Sequence, residues 1–303
     1  MTSNPSPFTI HHSPFTILLT GASGYLGQHL APHAAERYRL YSAYSSQPAR
    51  VTAGQPVKLD LTDRAEVLAL VRQIEPQAII HAAAINPGHG DAAAMARVNV
   101  EGSRYVAEAA VAVRARLVAV SSDVVHDGSS SPYADDAPPR PLNDYGRSKA
   151  AAEAIIRAID PGAAIVRTSL IYGLARMDRG TESFVERLAA GEPLVLFNDV
   201  VRTPVWVESL IEALLRLVEN DYAGLLNVAG RQALTREEFG RRMLAFWRID
   251  PGSRLSAGRA ADISSTIPLD LRLAVDKAEQ VLSMTFPGVD EVLALQARSE
   301  GCG

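Results

Sequence analysis

The sequence predicts an α/β protein, a doubly wound parallel sheet with a smaller, discontinuous C-terminal lobe. Three observations carry this reading. From Phe15 onward, short apolar runs alternate with longer amphipathic ones, which is the pattern of successive βαβ units. Several short runs are apolar along most of their length, as parallel strands covered on both faces are. The first run ends in TGASGYLG, with glycines at 21, 24 and 27 directly before a helical segment.

Taken in order, the strand candidates are FTILLT (15–20), RLYSAY (39–44), PVKLD (56–60), QAIIHAA (77–83), RLVAVSS (116–122) and AAIVRTS (163–169). Helical segments at 25–37, 63–74, 91–113 and 145–159 separate them. Pro32 falls inside the first helix and should kink or shorten it, since proline lacks an N–H and its ring crowds the preceding turn. After Tyr172 the pattern loosens. GLARMDRG is loop-like, 181–190 is helical, EPLVLF reads as a small strand and 207–220 as an amphipathic helix. GLLNVAG (224–230) is another buried strand, and from Thr235 the chain is helical and then irregular. In residues 1–14, SPFTI occurs at Ser6–Ile10 and again from Ser13, with His11 and His12 between the copies. Only the second copy runs into the first strand, so 1–14 is expected to be a disordered tail. Two adjacent histidines without further ligands do not make a metal site, and no metal is expected.

Bulk properties exclude several classes. Hydrophobic residues make up 47% of the 303 and charged ones 21%, as in a soluble globular chain. A formal charge of −4 leaves no basic face for nucleic acid. No apolar run approaches the roughly 20 residues that span a bilayer, and the N-terminus lacks the pattern of a secretory signal. The single cysteine, Cys302, can form no internal disulfide, which fits a reducing cytoplasm.

The glycine turn points to a dinucleotide. Gly21 allows a tight turn, Gly24 lets the backbone approach a pyrophosphate, and Gly27 permits close helix-on-strand packing. The helix start through Ser23, Tyr25 and Leu26 supplies amide donors for the anion. Asp60 and Leu61, at the end of the third strand, are placed to meet an adenine. Asp60 could instead cap a helix, although Thr62 and Asp63 are better placed to do so. Ala82, Ala83 and Ala84 end the fourth strand with small side chains that let backbone approach the cofactor, although packing explains an alanine run equally well. Asn99 lies on the following helix and either serves the cofactor or bonds neighbouring backbone. The end of the second strand normally reads the adenosine ribose. No acidic residue stands between Arg39 and Gln55, whereas Ser45, Ser46 and Arg50 offer partners to a 2′-phosphate. NADP is therefore the expected cofactor, with NAD accepted. The expected organisation is a dinucleotide-binding domain over 15–170, to which 205–230 returns, and a substrate lobe of 171–204 and 231–303.

DYGRSKAAAE (144–153) holds one of only three lysines. Tyr145 and Lys149, at i and i+4, share a helix face. An ammonium beside a phenol favours the phenolate and should lower the Tyr145 pKa. The tyrosine can then exchange a proton with an alcohol or carbonyl. A serine at a neighbouring strand end can orient that carbonyl.

With TGASGYLG, LDLTD, HAAA, SSD and YGRSK in order, the chain resembles the extended short-chain dehydrogenase/reductases, from about Phe15 to Val228. The resemblance implies a Rossmann-like fold and a catalytic set of Ser122, Tyr145 and Lys149, with the lysine also bonding the nicotinamide ribose. Alternation along the strand turns Ser121 away. VSSDVVHDG, YGRSKAAAE, IVRTSLIYG and PLDLRLAVDKAEQVL resemble the dTDP-4-dehydrorhamnose reductases most. Those enzymes typically carry an aromatic residue in place of Val124 and phenylalanine in place of His126. The implied activity is reduction of a keto group on a nucleotide-linked sugar, with Asp123, Val124, Arg176 and Arg202 against the substrate. Arg179 is a further candidate for its diphosphate. His126 and Asp127 read as a solvated loop pair. Sugar-nucleotide epimerases and dehydratases are rivals, although dehydratases often have Asp-Glu where this chain has Asp123-Val124. An idle NADP-binding regulatory subunit, like the methionine adenosyltransferase β subunit, is another. The sequence leaves the oligomeric state open, with a homodimer as one option.

Overall fold

The computed structural model describes residues 15–300; the first SPFTI copy with its two histidines, and Cys302, lie outside the described residues. Its centre is a seven-stranded parallel sheet. In chain order the strands are β1 (Thr16–Thr20), β2 (Arg39–Tyr44), β3 (Gln55–Lys58), β4 (Ala78–His81), β5 (Arg116–Ser122), β6 (Ala164–Thr168) and, after the shorter β7 to β10, β11 (Gly224–Val228). Spatially they run β11-β6-β5-β4-β1-β2-β3. Every residue of β1, β4 and β6 is buried, because helices cover both faces and leave no strand side for water. The third strand is an edge with mostly exposed residues and ends at Lys58 rather than at position 60. An edge strand with one neighbour has less ladder to extend it.

The covering helices are α1 (Tyr25–Arg37), α2 (Arg64–Ile74), α3 (Ala92–Met95), α4 (Gly102–Val113), α5 (Asp144–Ile159), α6 (Arg179–Ala189) and α7 (Val207–Glu219). A π-helical segment, Ala96–Glu101, joins α3 to α4, so the expected 91–113 helix carries a widened turn. Pro32 neither shortens nor ends α1, which runs to Arg37. The carbonyl it leaves without a helical donor, that of Gln28, accepts the Thr52 hydroxyl at 2.8 Å. An outside donor thus replaces the lost helical bond, which lowers the cost of an interior proline.

Outside the seven-stranded sheet, the chain holds β7 (Ile171–Tyr172) paired with β10 (Val205–Trp206), and β8 (Leu194–Phe197) paired with β13 (Leu255–Gly258). It also holds β9 (Val201–Arg202) against β12 (Leu234–Thr235), with α8 (Arg236–Phe246), α9 (Asp276–Leu282) and α10 (Val289–Glu300). Thr235 starts α8 with a complete capping box to Glu238.

The strand order reverses between β1 and β4. A crevice forms outside the carboxyl ends of parallel strands at such a switch point. Gly21, Ala82 and Ser122 all follow or end strands at that edge.

Candidate active site

The glycine turn fits a dinucleotide on its geometry. Gly21 has a φ of 75°, and a Cβ there would sit 2.7 Å from the Ala83 nitrogen. A Cβ on Gly27 would sit 2.2 Å from the Gly21 carbonyl oxygen. These two glycines bring the turn, the helix and the Ala82–Ala83 backbone into contact. Gly24 differs: the only atom near its Cβ position is the Gly21 oxygen at 3.2 Å. Its outer side is open, a cradle that a side chain would fill and a pyrophosphate can enter. Ser23, Tyr25 and Leu26 surround it at the start of α1.

A buried polar chain ties this turn to α5. The Ser103 hydroxyl donates its proton to the Asn99 carbonyl at 2.6 Å, so it accepts from His81 Nε2 at 3.0 Å. His81 Nδ1 then accepts the Thr20 hydroxyl at 2.7 Å. Burial, and then the Lys149 charge, hold this histidine neutral with a pKa of about 3. The Asn99 side chain accepts from the Ile85 N–H at 2.7 Å and donates to the Ile85 carbonyl and the Ser148 hydroxyl, each at 3.0 Å. Asn99 is thus spent on holding the segment after β4 to α5. Asp60 is likewise occupied, accepting the Thr62 N–H and hydroxyl at 2.8 and 2.7 Å, while Asp63 caps α2. Leu61 is buried in the core beneath α4, and Ala84 is half-buried beyond β4.

Asn143 caps α5 by accepting the Gly146 N–H at 2.8 Å. Tyr145 and Lys149 follow one turn apart. A Cβ on Gly146 would lie 2.3 Å from the Val124 carbonyl oxygen, so the absence of a side chain there lets the helix start press against the end of β5. We expect Gly146→Ala to force that contact open at a cost of about 1–3 kcal/mol. Chemical denaturation would read the loss.

Ser121 and Ser122 part company as alternation requires. The Ser121 hydroxyl points into the core and donates to Glu153 at 2.6 Å, while the hydroxyl of half-buried Ser122 donates to Asp123 Oδ1 at 3.2 Å. Tyr145 and Lys149 do not couple as expected. Lys149 is 5% exposed and donates to the Val120 carbonyl at 2.7 Å. Burial pulls its pKa down to about 8, with Glu153 opposing. Burial, and then the Asp123 charge, push the Tyr145 phenol up to about 12, against the expected lowering. The lysine spends its charge on β5, so the tyrosine feels the carboxylate instead.

Asp123 is 4% exposed and bonded on both oxygens, to Ser122 and to the Ser169 hydroxyl at 2.7 Å. Arg202 Nε lies 3.5 Å from it. Arg202 also donates to the carbonyls of Val201 and Pro268 at 2.9 and 3.2 Å. Arg236 is a residue the sequence reading missed. In the β9–β12 ribbon Arg202 pairs with Leu234, and Arg236, the first residue of α8, donates its N–H to the Val200 carbonyl at 2.8 Å, beside the same ribbon. Burial, and then the Arg202 charge, lower its pKa. Asp123 acts on both guanidiniums, with Asp270 a further negative charge on Arg202 and Asp178 on Arg236. No local pattern marks Arg236, because only the ribbon brings it to Arg202.

Other expected residues stand elsewhere. Arg176 donates to Gln28 on α1 at 2.7 Å and Arg179 to Gln47 at 2.8 Å, both toward the glycine-turn side. Val124 packs against the main core. His126 is fully buried rather than solvated, stacked on Tyr133 at 3.9 Å, and burial holds its pKa down to about 4. Asp127 accepts from Ser129 and from the Tyr133 hydroxyl. The pair closes a turn, with no solvent for it to titrate against on the histidine side. Arg50 ends a short 3-10 turn, Pro48–Arg50, after the exposed Ser45 and Ser46.

A parallel sheet with a glycine turn at its switch point, and a Tyr-x-x-x-Lys helix beside a strand-end serine, defines an extended short-chain dehydrogenase/reductase. The profile described as the RmlD substrate binding domain matches residues 15–287, and the chain belongs to that family. A dTDP-4-dehydrorhamnose reductase of Mycobacterium tuberculosis is 31% identical over 273 residues, 84% of this chain and 85% of its own. Methionine adenosyltransferase 2 subunit beta of Xenopus tropicalis is 29% identical over 290 residues, 87% of this chain and 81% of its own. In fold, the crystal structure of a dTDP-4-dehydrorhamnose reductase from Bacillus anthracis in complex with NADP matches with a TM-score of 0.80 at 24% identity. It covers 92% of this chain and 96% of its own.

Proposed function

We propose that this chain is an NADPH-dependent reductase of a keto group on a nucleotide-linked sugar, acting in the cytoplasm. The observation that supports the reading is the start of α5, where Tyr145 and Lys149 stand one turn apart and Gly146 presses the helix against the chain leaving the Ser122 end of β5. Gly21–Gly27, the Ala82–Ala84 backbone and Asp60–Leu61 would hold the cofactor, which would supply the hydride. Ser122 donates a hydrogen bond to the substrate carbonyl and orients it. Tyr145 gives its phenolic proton to the developing alkoxide. A phenol held near 12 is protonated throughout the neutral range, the state a reduction consumes. Lys149, freed from Val120, bonds the nicotinamide ribose and replaces part of the phenolate's lost stabilisation. Asp123 fixes Ser122, and Arg202 with Arg236 faces the substrate diphosphate. Residues 171–204 and 231–303 form the substrate-binding lobe.

The test is NADPH consumption against a panel of keto-sugar nucleotides, with one or more oxidising NADPH stoichiometrically. An epimerase or dehydratase would convert a sugar nucleotide without net consumption. The identity with a methionine adenosyltransferase β subunit favours a second reading, an idle regulatory subunit, which predicts cofactor binding and no turnover on any member of the panel. For cofactor choice, kcat/KM should be higher with NADPH than with NADH, and Arg50→Ala should lower the NADPH value selectively. A ratio at or below one defeats the preference.

A further inference from the structure

Arg176 and Arg179 belong to the segment after β7, yet both guanidiniums reach back to the cofactor side. The Tyr25 hydroxyl donates to the Arg176 carbonyl at 3.0 Å, and Arg176 Nη1 donates to Gln28 on α1 at 2.7 Å. Arg179, the first residue of α6, donates from Nη2 to Gln47 Oε1 at 2.8 Å. Gln47 sits in the turn that leaves β2, after Ser45 and Ser46, and its carbonyl accepts the Arg50 N–H at 3.2 Å. One segment is therefore pinned both to the start of α1 and to the end of β2. In the proposed site these are the places of the pyrophosphate and the adenosine ribose.

The charges at this turn are unbalanced. No acidic residue stands between Arg39 and Gln55. Among the described residues, neither Arg50 nor Arg179 makes an ion pair, and the bond from Arg179 goes to a neutral amide. Neighbouring Asp178 is already engaged, accepting the N–H groups of Gly180 and Thr181 and the Thr181 hydroxyl as the cap of α6. The Arg179 guanidinium thus meets a turn that carries Arg50 and offers hydroxyls and no carboxylate. A phosphate entering it sets a negative charge against both arginines, where Gln47 offers only a neutral amide oxygen. Arginine suits this task because its planar fork matches phosphate oxygens.

We propose that Arg179 crosses from α6 to the β2 turn to read the 2′-phosphate of NADP, exchanging Gln47 for the phosphate and sharing it with Arg50. This rests on the NADP preference stated above. It places in the cofactor site a residue that sequence position assigns to the substrate lobe. It also makes cofactor choice depend on both parts of the fold.

The test is direct titration of the full chain with NADPH and NADH, followed by 2′,5′-ADP and 5′-AMP, none of which needs a known sugar. The wild-type protein should bind NADPH and 2′,5′-ADP more tightly than NADH and 5′-AMP. Arg179→Ala should weaken NADPH and 2′,5′-ADP by about 10-fold or more and leave NADH and 5′-AMP almost untouched. Arg179→Lys should recover part of the loss. Unchanged NADPH binding in Arg179→Ala, with Arg50→Ala weakened, would show that Arg50 reads the phosphate alone. Equal losses for NADPH and NADH would make Arg179 a contact that only holds α6 in place. Either result overturns the assignment. A wild-type protein that binds NADH as tightly as NADPH defeats the cofactor preference itself, and does so before any variant is made.

Discussion

Tyr145→Phe should lower kcat for keto-sugar reduction by roughly 10²–10⁴-fold while NADPH binding stays close to wild type, the scale expected when a positioned general acid is lost. The substitution removes one oxygen from a half-buried ring whose backbone is fixed by the Asn143 cap and by the contact between Gly146 and Val124. Among the described residues the hydroxyl makes no hydrogen bond, so the loss should appear in turnover rather than in folding. The pH profile gives a second reading of the same site. Lys149 is charged below its pKa, which burial holds at about 8. Its charge is therefore lost as pH rises through about 8, and kcat/KM should fall there rather than near the ordinary lysine value. A Tyr145→Phe enzyme that keeps most of its turnover would remove Tyr145 as the proton donor.

Arg167→Leu should cost about 3–5 kcal/mol of folding stability, because it strands a buried carboxylate. Arg167 is 0% and Glu153 4% exposed. Their two-point contact, Nε to Oε1 at 3.0 Å and Nη2 to Oε2 at 2.7 Å, holds β6 to α5. The remaining nitrogen, Nη1, donates to the carbonyls of Asp135 and Ala137, each at 3.1 Å. Glu153 also accepts the Ser121 hydroxyl, so the pair sits directly behind the Ser122 strand end. The double variant Arg167→Leu/Glu153→Leu should lose less than Arg167→Leu alone, since no unpaired charge then remains. Urea denaturation of the wild type, the two single variants and the double variant closes the cycle. A mild loss in Arg167→Leu would mean that water reaches Glu153 and that the pair is not dry.

Much of this was legible along the chain. Strands β1, β4, β5 and β6 announce themselves because burial on both faces demands unbroken apolar runs. The Tyr145–Lys149 face follows from helical spacing. The Arg167–Glu153 pair escaped the sequence reading, although a lone arginine inside the apolar strand AIVRT is a signal for a buried partner. Errors came where a distant group changes the local rule. Pro32 stays in a full helix because Thr52, twenty positions away, supplies the missing bond. His126 reads as a loop residue and is buried because Tyr133 stacks on it.

The sequence by itself determined the parallel sheet, the glycine turn and the helix that carries Tyr145 and Lys149. These depend on residue spacing and on hydrophobic pattern, both of which are local. Only the tertiary structure decided the electrostatics. Lys149 turns to the Val120 carbonyl, Asp123 is buried between Ser122, Ser169 and Arg202, and burial, with the Asp123 charge second, pushes the Tyr145 pKa up rather than down. It likewise brought Arg236 beside Arg202 and Arg179 to Gln47. Charge interactions and desolvation depend on distances between segments far apart in the chain, and spacing along a sequence carries no record of those distances.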